Sequence, residues 1–192
     1  DQKTVIFEDS YNAYTQLIDQ LLSISDSLIH IEISSSYAND ISAINALLRY
    51  KEFMGQIRAM GMKMIENNQE NIYSNSNVSL LLGQQTNTLR IFSNAANKAQ
   101  LLSCGEYCNA ITQHKQLELS YLKTMLPTDK SARAASWFKV MSVKVDNLNA
   151  ILDKLINEFD KKIFTKSVAL KAKGYLMIFA LSLFLLAAIF FA

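Results

Sequence analysis

Along most of this chain apolar residues return at alternating steps of three and four, the mark of helices that cover one face. In the first stretch, about Thr4 to Ser34, residues Leu17, Leu21, Ile24, Leu28 and Ile31 form a heptad stripe. The polar run Ser34 to Asp40 closes it and offers Asp40 as the N-cap of the second helix. That second stretch runs from Ile41 to about Asn68, and an Asn- and Ser-rich loop covers Asn67 to Asn77. The third begins near Val78 and passes Leu82, Leu89, Phe92, Ala96 and Ala99 toward Cys108. It is expected to continue, kinked near Gly105, through Leu117 to Leu126, where Pro127 ends it. After a loop from Pro127 to Arg133, the last helix carries Phe138, Met141, Val145, Leu148, Leu152, Leu155 and Phe159, the most regular series in the chain.

That helical pattern runs on without a break into Tyr175 to Ala192, which holds no charge and, apart from the Tyr175 phenol at its edge, one hydroxyl, Ser182. A run of this kind reads as a transmembrane helix, which needs roughly 17 to 25 residues, with Lys171, Lys173 and Tyr175 at the interface. If helical throughout, residues 133 to 192 form a rod of roughly 90 Å at ~1.5 Å per residue. The expected fold is all-α, an antiparallel four-helix bundle of long helices whose last helix is continuous with the transmembrane helix. The expected organisation is a helical-bundle domain over 1–165, a juxtamembrane segment over 166–174 and the membrane helix over 175–192. In this arrangement the first and last stretches end at one face, so a second membrane helix is expected before Asp1.

Composition agrees with helices. Five glycines and one proline among 192 residues leave few turn-formers for a sheet. A net charge of +2, from 19 basic and 17 acidic side chains with no like-charge block, gives no electrostatic footprint for nucleic acid. No nucleophile elbow, phosphate loop or dinucleotide glycine pattern occurs, so neither an enzyme nor a cofactor is expected. Cys104 and Cys108, one helical turn apart, either pair as a local disulfide or lie as buried thiols; a metal site is the weaker reading, with only His30 and His114 to complete it.

The second stretch holds the distinctive chemistry. On a helical wheel Ile44, Leu47, Leu48, Met54, Met62 and Ile65 share one core-facing arc, and Lys51, Gly55 and Arg58 fall near its middle. Phe53, Ile57, Met60 and Met64 form another apolar patch, leaving a narrow polar strip of Asn45, Arg49, Glu52, Gln56 and Lys63. A helix so patterned is covered on most sides. Lys51 and Arg58, seven residues apart with Gly55 between them, project the same way, and two inward cations are costly unless something negative joins them. A small planar anion meets that need, because a guanidinium donates paired hydrogen bonds to coplanar oxygens. The competing reading has Lys51 reaching to solvent and Arg58 paired with a carboxylate of another helix or subunit. Of the other arginines, Arg90 and Arg133 are candidates to close the pocket from a facing helix, and Arg49 on the polar strip is expected to be solvated.

The segment LLRYKEFMGQIRAMG, Leu47 to Gly61, resembles the first conserved block of the nitrate- and nitrite-sensing (NIT) domain, and ASWFKVMSVKVDNLNAIL, Ala135 to Leu152, resembles its second, with Asp146 at the expected place. The resemblance spans roughly residues 5 to 165; Lys51, Glu52, Gly55 and Arg58 match the motif, whereas Arg49 and Ile57 depart from it. It implies an all-α sensor domain of a bacterial transmembrane receptor that binds nitrate, nitrite or another small anion through arginines and signals to a cytoplasmic output domain. It also implies a periplasmic location at the inner membrane, against the lysines Lys161, Lys162, Lys166, Lys171 and Lys173, which alone favour a cytoplasmic side. A homodimer is expected as well. The alternative function is a helical scaffold for a protein partner with no small ligand; it requires an exposed apolar patch and an Arg58 satisfied by an internal acid.

Overall fold

A computed structural model describes residues 2–30, 35–67, 75–102, 104–105 and 129–191, of which 2–8, 25, 28–30, 35, 36 and 174–191 are followed in backbone alone. Four long helices make it up: α1 (Gln2–His30), α2 (Ser35–Glu66), α3 (Ser76–Ala95) and α4 (Lys130–Phe191). Among the described residues there is no strand. The chain divides into two compact units, Asp1–Asp153 and Lys154–Ala192.

In the first unit α2 is central, packed by both α1 and α3. Its centrality follows from its two apolar patches. Ile57, Met64 and Ile65 join Val78 and Leu81 of α3 and Trp137 and Met141 of α4 in one core, flanked by Phe53, Met60 and Met62. From Ala43 to Leu47 every residue is buried, including Asn45. Such continuous burial matches a helix covered on most sides.

Side-chain caps explain the ends. The Asn75 Oδ1 accepts from the backbone N–H groups of Asn77 and Val78 at 2.9 and 3.4 Å, opening α3. Asp129 opens α4, its carboxylate accepting from Ala132 N at 2.8 Å, three residues ahead of the expected start at Arg133.

Two further boundaries differ from the sequence reading. First, α2 starts at Ser35, so Asp40 is not its cap but a buried residue inside it. Second, α3 stops at Ala95 instead of reaching Cys108, because Ala96 turns extended at φ −68° and ψ 137°. Asn97 then caps a new helical stretch over 98–102. Its Oδ1 accepts from Gln100 N at 3.0 Å while Gln100 Oε1 accepts from Asn97 N at 2.8 Å, a reciprocal capping box. The Asp40 carboxylate explains why the break sits there: it accepts from Asn97 Nδ2 and Gln100 Nε2, each at 3.2 Å. The stretch through Leu117 to Pro127 lies outside the described residues. Cys104 is buried and disulfide-bonded, and Cys108 lies outside the described residues.

The stripes are also rotated relative to their forecast. On α3 the buried face is Val78, Leu81, Gln85, Thr88 and Phe92. On α1 the residues turned inward are Tyr11, Thr15, Ile18 and Leu22, while Leu17, Leu21 and Ile24 of the heptad stripe are exposed. Hydrogen bonds select this face: Asp26 accepts from Asn45 Nδ2 at 3.0 Å and from Arg49 Nη2 at 2.5 Å. Arg49 is therefore ion-paired and half-buried, not solvated.

In the second unit α4 runs to Phe191, and the side chains described there are mostly exposed, with Leu155 buried. Among the described residues no helix is long and apolar enough to cross a membrane. The expected membrane segment, 175–192, lies outside the residues whose side chains are described.

Candidate functional site

Between α1, α2 and α4 lies a cleft of about 360 Å³. Helix α2 supplies Leu48, Lys51, Glu52, Gly55, Gln56, Arg58 and Ala59; α1 supplies Tyr11, Tyr14, Thr15, Ile18 and Leu22; α4 adds Val145. With a water occupying ~30 Å³ of liquid, a space of this size takes a small ion together with several waters. Gly55 lines the cleft, and a Cβ placed on it would meet nothing within 4 Å. The one-turn spacing of residues 51, 55 and 58 thus puts two cations around a floor left bare by a missing side chain.

Arg58 is held at its back rather than neutralised. Its guanidinium carbon lies 4.9 Å from the Phe138 ring centroid, a cation–π contact, and Nη1 donates to Ser142 Oγ at 3.1 Å. Its backbone oxygen accepts from Trp137 Nε1 at 2.9 Å. Among the described residues no carboxylate pairs with Arg58 or with Lys51; Arg49–Asp26 is the ion pair found there. A guanidinium carries five N–H donors, so most of those on Arg58 are left over.

The cleft carries one negative group as well. Glu52 is half-buried, and its carboxyl is raised above the ordinary value chiefly by burial; the hydrogen bond from Gln56 at 3.1 Å opposes that, Asp19 adds to it and Lys51 opposes it. The Tyr11 phenol is raised too, by burial first and then by the charge on Glu52. Thr15 Oγ1 is buried without a hydrogen-bond partner of normal geometry, yet it stands near enough to the Tyr11 hydroxyl to temper that rise. Two cations, one carboxylate whose charge burial disfavours and a set of hydroxyls thus line the cleft, leaving it net positive and rich in hydrogen-bond donors.

Of the residues singled out from sequence, Lys51, Gly55 and Arg58 come together here. Arg90 stands exposed on α3 and donates to Asn87 Oδ1 at 2.9 Å, and it does not line the cleft. Arg133 sits at the start of α4, about 18 Å along the helix from Val145 at ~1.5 Å per residue, and does not line it either. Phe138, which heads the apolar series of the last helix, is 48 % exposed and serves as the platform for Arg58, while Trp137 beside it takes the core position at 2 %. Ser142, Tyr11, Thr15 and Glu52 were not foreseen as site residues. Ser142 lies one turn beyond Phe138, a spacing that marks it as a neighbour of whatever Phe138 touches. Among the described residues no cluster of His, Cys, Asp and Glu is arranged to hold a metal.

Comparison with curated proteins and with solved structures finds no match. A family model described as nitrate and nitrite sensing matches residues 1–160, which include every residue of the cleft and both sequence blocks that resemble it. The chain belongs to the nitrate- and nitrite-sensing (NIT) domain family.

Proposed function

We propose that this chain is the anion-binding sensor part of a bacterial transmembrane receptor, taking nitrate or nitrite between Lys51 and Arg58 over the floor at Gly55. The observation that carries the reading is the state of Arg58. A half-buried guanidinium stacked on Phe138, with no carboxylate partner among the described residues, is a charge awaiting a ligand. Of the two features the scaffold alternative requires, α1 carries exposed apolar residues, but no internal acid pairs with Arg58 among the described residues, which weighs against it. Arg90 and Arg133 drop to outlying candidates, since neither reaches the cleft.

Signal transfer follows from the groups that hold Arg58. Its head group and its backbone oxygen both touch α4, through Ser142, Phe138 and Trp137, so an anion that draws the guanidinium bears directly on that helix. The anion favours one of two arrangements of α4 against α1 and α2 by its differential affinity for them. Residues 175–192, without a charge, carry the displacement into the bacterial inner membrane, with residues 1–165 on the periplasmic side as a four-helix bundle and an output domain beyond. In this reading the receptor works as a homodimer.

The test is thermal unfolding of the chain in detergent with sodium nitrate, sodium nitrite or sodium chloride at equal ionic strength. At a hundred times Kd a ligand adds ~2.7 kcal/mol to stability, a shift of several degrees. Nitrate or nitrite is expected to stabilise beyond chloride, and Arg58→Ala to abolish the difference. An equal response to all three salts, or one that survives Arg58→Ala, overturns the reading.

A further inference from the structure

Among the described residues one buried side-chain polar atom lacks a hydrogen-bond partner, the hydroxyl of Thr15 on α1. A hydroxyl inside a helix ordinarily returns its bond to a carbonyl of the preceding turn. Those of Ser27, Thr86 and Ser93 do so, donating to the backbone oxygens of Ser23, Leu82 and Leu89, each at 2.9 Å. Thr15 makes no such bond, and it lines the cleft. A buried donor left without its bond is costly, so a group in that state calls for an explanation in the space it lines.

Helix register shows what lies across that space. Asp26 of α1 meets Asn45 and Arg49 of α2, and residues 11–22 line the cleft together with residues 48–59, so the two helices run antiparallel. Thr15 precedes Asp26 by eleven residues, about three turns, which returns it to within about 20° of the same direction. Eleven residues on from Asn45 and Arg49, the matching level of α2 is 56 to 60, which brackets Arg58. The Arg58 guanidinium itself is held on the other wall, against Phe138 and Ser142 of α4. Gly55 and Ala59, with little or no side chain, line the cleft at the same level.

We infer that Thr15 is the α1 contact of the anion proposed to bind at Arg58, donating to the oxygen that the guanidinium leaves over, and that it favours nitrate over nitrite. This rests on the anion reading of the cleft and adds a residue and a selectivity to it. A guanidinium fork takes two coplanar oxygens of a planar anion. In nitrate the third oxygen points directly away from the fork, toward the wall where Thr15 keeps an unused donor. Lys51 does not serve there, because it projects from α2 in nearly the same direction as Arg58. Nitrite held by the same fork ends at its nitrogen on that side and falls short of α1 by one N–O bond. A donor placed for an oxygen discriminates against the analogue that lacks it, since the donor then stays buried and unpaired. Bound nitrate thereby ties α1, through Thr15, to α4, through the groups that hold Arg58.

The experiment compares Thr15→Val, which keeps the branched shape and deletes the hydroxyl, with Thr15→Ser, which retains the hydroxyl. Calorimetric titration of the full chain in detergent with sodium nitrate and with sodium nitrite, at equal ionic strength, gives Kd for each anion. Thr15→Val is expected to weaken nitrate about tenfold, as for loss of a hydrogen bond to a charged group, and nitrite far less. Thr15→Ser is expected to bind both as the parent does. Without either anion, Thr15→Val should melt about 2 to 4 °C above the parent, because the unmade bond is gone. A threonine with only a packing role would leave the ratio of the two Kd values unchanged. Unaltered nitrate affinity in Thr15→Val, equal losses for the two anions, a Thr15→Val chain that melts below the parent, or loss of nitrate binding in Thr15→Ser overturns the inference. Arg58→Ala separates it from the reading beneath it: nitrate binding that needs Arg58 and not Thr15 leaves the proposed function standing, whereas a parent chain that binds no nitrate removes both.

Discussion

Gly55 and Gly61 both lie inside α2, where glycine costs roughly 0.5 to 1 kcal/mol relative to alanine, so helix propensity alone predicts that Gly→Ala stabilises at either position. The structure predicts opposite signs. At Gly55 the added methyl meets nothing within 4 Å, so the propensity gain of ~0.5 to 1 kcal/mol is kept. At Gly61 it would overlap Cε2, Nε1 and Cζ2 of the Trp137 indole. That ring cannot swing aside as a flexible tip would, being rigid, almost fully buried in the core cluster and tied to the Arg58 carbonyl at 2.9 Å. Overpacking of this kind costs about 1 to 3 kcal/mol, and losing the indole hydrogen bond adds ~1. Set against the propensity gain, Gly61→Ala should destabilise by roughly 1 to 3 kcal/mol. For a chain of this size each kcal/mol moves Tm by ~2 to 4 °C, so the two variants should melt on either side of the parent and several degrees apart. Circular dichroism during thermal unfolding in detergent reads this directly. If Gly61→Ala melts with or above the parent, the close approach of α4 to α2 through Trp137 is wrong, and the support given to Arg58 falls with it.

The acid in the cleft gives a second expectation. Because burial raises its carboxyl, folded Glu52 binds its proton more tightly than the unfolded chain does, so stability declines as pH rises from its ordinary value of 4.5. Glu52→Gln should flatten that decline in urea titrations across the window, and removing the charge should tighten nitrate binding by about fivefold, or ~1 kcal/mol. Lys144 on α4 behaves in the other sense: burial lowers its amine to about 8, so the unfolded chain holds the extra proton and stability rises with pH from about 8 toward 10.5. Lys144→Met should remove the rise between pH 8 and 9.5 and add about 1 kcal/mol at pH 7, a figure reduced for screening by solvent. Asp40→Ala, which strands the Asn97 and Gln100 amides, should cost ~1 to 3 kcal/mol in the same assay, and Asp40→Asn, which keeps an acceptor, distinctly less.

Helices were legible where periodicity is carried by many residues, as in α4, where Met141, Leu148, Leu152 and Leu155 of the expected series are buried and Val145 is partly so. Their ends were not, because side chains far apart in sequence decide them. Asp40 looks like a cap when only its neighbours are considered; the amides that claim it come from Asn97 and Gln100, and the same contact halts α3 at Ala95. The choice of face on α1 escaped for a related reason. Its best apolar stripe is the exposed one, and the packed face was selected by Asp26 reaching the polar strip of α2, a cost of burial offset by Asn45 and Arg49. Apolar periodicity counts stripes without saying which neighbour covers each.

Within the site the same distinction separates the directions one helix dictates from the contacts several helices assemble. That Lys51, Gly55 and Arg58 share a direction is a property of α2 alone, and the shared cleft results from it. Whether their charge is already matched depends on the facing helices, and here the arrangement on α4 is informative. Ser142 and Phe138 offer Arg58 one acceptor and one aromatic face, enough to fix the plane of the guanidinium and too little to neutralise it. An acid at either position would have made the pair self-sufficient. In the proposed reading, neutral support behind an inward cation, next to a floor kept clear by glycine, is what a pocket for an anion requires and a salt bridge between helices does not. Replacing Ser142 by Asp should accordingly do two things at once: raise the melting temperature through a half-buried ion pair, and abolish the nitrate response without touching Arg58.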